Sequence, residues 1–172
     1  MMRSKVTELG PTDHVEAGET APDFVRPLVN AEFWEDVALS DLLEKGPVIL
    51  VFHPMDGAFP TTYIYNELLD REIADAVQIA GLSISTPYEH KTTIEDRGIE
   101  HYAGLFADPQ NGVAEEYGIT HSLDGMAGIE EPRPALFLID EDRTVRHVWV
   151  AERWPEFPDY DDLEDAIAEL PA

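Results

Sequence analysis

His53-Pro-Met-Asp56 gathers an imidazole, a thioether and a carboxylate in one turn-rich loop, and Thr61-Thr62 follows at the start of a helical pattern. An imidazole and a carboxylate three residues apart are ligand types for a divalent metal. No pair of ligands shows recognised spacing such as HExxH, so no metal and no cofactor is assigned. Met55 is open to reversible sulfoxide formation, although a lone methionine beside a pocket usually fills a gap. The backbone N–H groups of Thr61 and Thr62, with the helix dipole, can hold an anion or a small polar molecule. The plainer role for Thr61 is to cap that helix, and the reading favours it. The ligand-binding candidates are therefore His53, Asp56, Thr61 and Thr62. None of the 172 residues is a cysteine, which removes thiolate nucleophiles, disulfides and thiolate metal sites. A threonine hydroxyl is no substitute, because it does not ionise without a strong base beside it.

The elements that must position this loop follow from the apolar pattern. Residues 1–17 read as a polar lead, flexible at its start, and 18–172 as one domain. Phe33 to Leu39 suits a short edge strand. Ser40 to Glu44 suits a helical turn with Ser40 as N-cap and Gly46 as terminator. Pro47 to Phe52 is a continuous apolar run, which predicts a strand buried on both faces. Pro60 can open a helix, since its missing N–H costs nothing there, and Ile64, Leu68, Leu69 and Ile73 continue at helical spacing. Val77 to Ser85 reads as a second central strand and 89–97 as a helix ended by Gly98. Gly104 to Asp108 is a short strand, 109–117 a helical turn or two closed by Gly118. Ala135 to Asp140 and Val145 to Val150 form a hairpin, with Val145, His147 and Trp149 on one face. Leu163, Ala166, Ile167 and Leu170 define an amphipathic closing helix. Strands alternating with helices, plus a late hairpin, predict an α/β fold with a mixed sheet.

In series, several segments resemble the peroxiredoxins, the alkyl hydroperoxide reductase and thiol-specific antioxidant branch of the thioredoxin fold. Gly18-x-x-Ala-Pro-Asp-Phe24 is similar to their entry motif, and Gly46 to Pro54 to their first core strand and active-site lead. Leu82-Ser-Ile-Ser with Pro87 and His90-Lys91, Phe106-Ala-Asp-Pro109 with Val113 to Gly118, and Phe137-Leu-Ile-Asp140 resemble the segments that follow. The resemblance implies a thioredoxin-like fold, a central mixed β-sheet flanked by helices, with a peroxiredoxin-type N-terminal extension. It also implies the site P-x-x-x-T-x-x-C. Counting from Pro54 puts Ala58 at the threonine and Thr61 at the peroxidatic cysteine. The family's arginine, three residues before the phenylalanine, falls on Pro134, with Arg133 one residue earlier. Pro54 alone matches. Pro54, Ala58, Thr61, Arg133 and Pro134 thus mark a vestigial pocket with no catalytic residue. Arg133–Pro134 is also a candidate cis bond, by likeness to the cis-proline of thioredoxin-like reductases.

Thirty-six acidic against eleven Lys and Arg residues give a formal charge of −25. Such a charge repels itself unless salt screens it, as it does over about 3 Å at 1 M. The balance reads as adaptation to a salty cytoplasm. It disfavours nucleic acid and anionic membranes as partners, since no basic cluster offsets the field. No apolar run is long enough for a secretory signal or a bilayer span, so the expectation is a cytoplasmic protein. The reading is a cysteine-free homologue that lacks thiol peroxidase activity and acts as a binding or regulatory module. Its partners would be a small polar ligand, a second copy, or a cysteine-bearing paralogue in a hetero-oligomer. The alternative is an antioxidant oxidoreductase that uses a partner thiol or a metal.

Overall fold

A computed structural model describes residues 7–122 and 126–171. In chain order the elements are β1 (Thr7–Glu8), β2 (Val25–Val29), β3 (Trp34–Ala38), α1 (Leu39–Leu43), β4 (Val48–Phe52), α2 (Phe59–Asp70), β5 (Gln78–Ser83), α3 (Pro87–Arg97), β6 (Gly104–Ala107), α4 (Gly112–Tyr117), β7 (Thr120–His121), β8 (Glu131–Pro132), β9 (Ala135–Ile139), β10 (Val145–Val150), β11 (Arg153–Trp154) and α5 (Tyr160–Ala168). Seven strands form the central sheet in the order β10-β9-β4-β5-β6-β2-β3. β4, β5 and β6 run parallel, and the flanking strands are antiparallel.

The unbroken apolar run of β4 is explained by two cores. Val48, Leu50 and Phe52 point into one, with α1 and α4, while Ile49 and Val51 point into the other, with α2, α3 and α5. A strand buried on both faces needs no polar alternation. This places the loop after β4 at the carboxyl end of the central parallel strands, where helix α2 departs.

The α1 expectation needs correction. Ala38, not Ser40, is the N-cap. The Asp41 carboxylate accepts the Ala38 N–H at 3.1 Å, and the Ser40 hydroxyl donates instead to Asp23 at 2.8 Å. The helix around 89–97 begins earlier, at Pro87, because Thr86 and Glu89 form a reciprocal capping box. The hairpin also differs in detail. Its register shifts between Val145 and His147, and this bulge moves Val145 to the face shared with Val148 and Val150, opposite Trp149.

The lead is tied down from residue 7 onward; the flexible start expected for it, residues 1–6, lies outside the described residues. β1 pairs antiparallel with β11, and Val15 N–H donates to Tyr117 O. Gly118, at φ +75°, both ends α4 and lets the lead cross, since a Cβ there would strike Asp13 O. Among the described residues no helix is long and apolar enough to cross a membrane.

Candidate functional site

The loop 53–58 between β4 and α2 is the only turn-rich segment that the sequence marked for chemistry, and its side chains turn inward. His53 is fully buried. Its Nδ1–H donates to Pro54 O at 2.7 Å, while Nε2 lies under Gly81, where a Cβ would press on it and collide with the Tyr65 hydroxyl. Glycine is required on β5 for that close approach. Burial lowers the His53 pKa to about 4, against the opposing pull of Asp56 and the Pro54 carbonyl.

Asp56 reaches across to α3. His90 donates its Nδ1–H to Asp56 Oδ2 at 2.6 Å and its Nε2–H to Phe106 O at 2.9 Å. Thr93 Oγ1 donates to the same carboxylate oxygen at 2.9 Å, and Ser83 Oγ to Oδ1 at 3.2 Å. The Asp56 N–H donates to Ser85 Oγ at 2.9 Å. Burial alone would push this carboxyl up, but the hydrogen bond from His90 and the nearby imidazoles and Thr93 outweigh it and hold it below the ordinary range. The next residue back is anchored too: Met55 N–H donates to the buried Glu131 carboxylate at 2.8 Å.

Thr61 does not cap α2. Ala58 is the N-cap, without a side-chain bond, so the helix begins two residues before Thr61 and its hydroxyl faces the loop. Thr61 Oγ1 lies 3.3 Å from His53 Nδ1 and donates to Pro54 O at 3.4 Å. Neither nearby imidazole is placed to act as its base. His53 Nδ1 already carries the proton given to Pro54 O, and both ring nitrogens of His90 are donors in use. The start of α2 is also a poor anion site, because Pro60 has no N–H and the Thr62 N–H bonds Ala58 O. Thr61 opens on a cleft of about 320 Å³ lined by Asp56, Gly57, Glu89, Thr92, Thr93, Asp96 and Arg97.

Of the residues marked in the sequence, the structure brings together His53, Pro54, Asp56 and Thr61 beside Ala58. Thr62 does not line the cleft. Arg133 and Pro134 do not either. The Arg133 guanidinium is taken by the carbonyls of Gly10, Ala151 and Leu9 at 3.0, 3.2 and 2.9 Å, where it clamps the lead to the sheet. Arg133–Pro134 is trans; the cis bond among the described residues is Trp154–Pro155. The reason is local: Arg133 N–H bonds Ile119 O and Pro134 O accepts from Ala151, which keeps the segment extended into β9. His90, Thr93, Ser83, Ser85 and Glu131 were missed as members of the network. The available signal was weak: a histidine at a buried position of α3, a helix with few apolar residues, which otherwise buries Ile94.

The AhpC/TSA family model matches residues 17–148. The chain is 26% identical over 144 residues to the chloroplastic 2-cysteine peroxiredoxin of Chattonella marina var. antiqua, covering 77% of this chain and 69% of that one. It is 26% identical to mouse peroxiredoxin-2 over 145 residues, 80% of this chain and 70% of that one. Among solved structures, peroxidoxin BcpB from Mycobacterium tuberculosis superposes with a TM-score of 0.70 at 28% identity, covering 90% of this chain and 96% of that one. AhpC from Enterococcus faecalis, at 17% identity and a TM-score of 0.71 over 88% of this chain and 90% of that one, shares the fold.

Proposed function

The chain belongs to the AhpC/TSA family and carries no cysteine thiol, and on that premise we propose that its inherited pocket binds a small polar molecule instead of reducing peroxide. The observation that carries this reading is the hydroxyl of Thr61 in the peroxidatic position, donating to Pro54 O beside a His53 Nδ1–H committed to the same carbonyl. Peroxide reduction by a thiolate proceeds through sulfenic acid, and oxygen has no equivalent state. The cleft above Thr61 presents threonine hydroxyls, three carboxylates and the Arg97 guanidinium. Groups of both signs with hydroxyls between them suit a neutral or zwitterionic ligand rather than an anion. The charge of −25 supports a working environment of high ionic strength, where repulsion within the chain is screened.

The test is turnover of hydrogen peroxide and an alkyl hydroperoxide by the purified protein at molar salt, with and without thioredoxin or glutathione. No rate above the protein-free blank is expected. Metal-free turnover beyond trace contamination would overturn the reading. Thr61→Cys is expected to return little activity, because Ala58 offers no hydroxyl and Arg133 is held by three carbonyls. A panel of polyols and free amino acids should raise the melting temperature, and Asp96→Asn should cancel the gain.

A further inference from the structure

A second cleft lies on the opposite, outward side of the α2 start. Its volume is about 290 Å³, and its walls are Phe59, Tyr63, Phe157 and Tyr160 with the Glu67 carboxylate. Phe59, Tyr63 and Glu67 follow at i, i+4 and i+8 and so share one stripe of α2, while Phe157 and Tyr160 come from the start of α5 and the residues before it. Tyr63 meets Phe59 at 76° and Phe157 at 81°, with centroids 6.2 and 5.9 Å apart. Rings meeting nearly at right angles make the corners of a box rather than a stack. Tyr160 forms the floor, packed against the core below, while the other three rings stay open: Tyr63 is 58% exposed, Phe59 45% and Phe157 38%.

The charges around the box select the guest. Arg71 already sits over the face of Tyr160 at 5.3 Å, so this aromatic system accepts a cation. That guanidinium is bound by three carboxylates, Glu67, Asp161 and Glu164, at 2.8 to 2.9 Å, which leaves the rim net negative. A second copy of the chain would bring the same acidic rim against itself, on a molecule of charge −25. An aromatic box with a carboxylate at its mouth matches a compact organic cation, whose methyl groups contact the rings while its charge is met by their faces and by the acid.

We propose that Phe59, Tyr63, Phe157 and Tyr160, with Glu67, form a binding site for a small quaternary ammonium ion. This site is separate from the polar cleft at Thr61 and does not depend on the function proposed for it.

The experiment is calorimetric titration of the full chain with choline, and in parallel with the uncharged dimethylbutanol in which carbon replaces the nitrogen, at constant total chloride and ionic strength. Choline is expected to bind about tenfold more tightly than the isostere. Tyr63→Ala and Phe157→Ala should each weaken choline about fivefold, and Glu67→Gln about twofold. Far-ultraviolet circular dichroism checks that each variant is folded, and the Phe157 variant keeps the test alive should the α2 variant unfold. Equal affinity for the two compounds, or no heat with either, overturns the proposal. So does concentration-dependent self-association that Tyr63→Ala abolishes and choline leaves unchanged, since the groove would then be an interface between copies.

Discussion

The two sides of the α2 start are built on opposite rules. On the inner side, Asp56, His90, Thr93, Ser83 and Ser85 are joined to one another at hydrogen-bond distance, and the loop is fixed to α3 and β5 by polar bonds at the edge of the cleft. On the outer side, Phe59, Tyr63 and Phe157 touch edge to face and stay open to solvent. Polar groups buried together hold position because each would be costly to leave unpaired; exposed rings contribute little to the fold and are free to meet something else. The inner side therefore determines the shape of the loop, and the outer side is where substitution should be cheap.

The sharpest way to break this contrast is Asp56→Ala. It removes the acceptor shared by His90, Thr93 and Ser83, and leaves His90 Nδ1–H facing no acceptor in the interior. Truncating one partner of a buried pair costs about 3–5 kcal/mol, a large share of the stability of a domain. Urea denaturation should show the midpoint falling accordingly; a loss below about 1 kcal/mol would mean that the network is ornamental.

Acidification probes the same side more gently. The His53 pKa stands at about 4 in the folded chain, against about 6.5 for an unfolded histidine. Between these values only the unfolded chain takes the proton, so stability falls as pH drops from about 6.5 to 4, by about 3 kcal/mol in all at about 1.36 kcal/mol per pH unit. Asp56, held below the ordinary carboxylate range, contributes stability that is present above the unfolded carboxyl pKa and is lost only at still lower pH. In His53→Gln the slope between 6.5 and 4 should flatten while the loss at lower pH remains. Urea midpoints measured across that range decide it, and an unchanged slope in the variant would remove His53 from the account.

The inner network was only half legible in the sequence, for a physical reason. His53, Asp56 and Thr61 lie in one loop and are marked by their turn residues, whereas His90 reaches Asp56 from 34 residues away, a contact set by how α3 packs on the sheet. The strands were readable because β4 and β9 are apolar on both faces and bounded by Gly, Pro or Asp. What misled was chemistry with two local solutions. Ser40 and Thr61 are both good caps, yet Asp41 supplied the acceptor for one helix and Ala58 left the other start without one. A one-residue bulge in β10 likewise reversed the face of Val145, and no residue type announces it. On the outer side, Phe59 and Tyr63 carry no signal of their own in the sequence, because aromatic residues at helical spacing ordinarily read as core.

That ordinary reading gives the last and smallest prediction. Were Tyr63 a core residue, Tyr63→Ala would cost about 3–5 kcal/mol, as deletion of a buried aromatic does. With Tyr63 58% exposed and its ring meeting those of Phe59 and Phe157 edge to face, the expected loss is about 1 kcal/mol or less, comparable to a single aromatic pair. Alanine also has the higher helix propensity, which offsets part of it. Placing this variant beside Asp56→Ala in the same urea series measures the contrast directly. If the two losses were similar, the rings would be holding α5 against α2, and the outer face would be part of the fold rather than a surface kept open for a ligand.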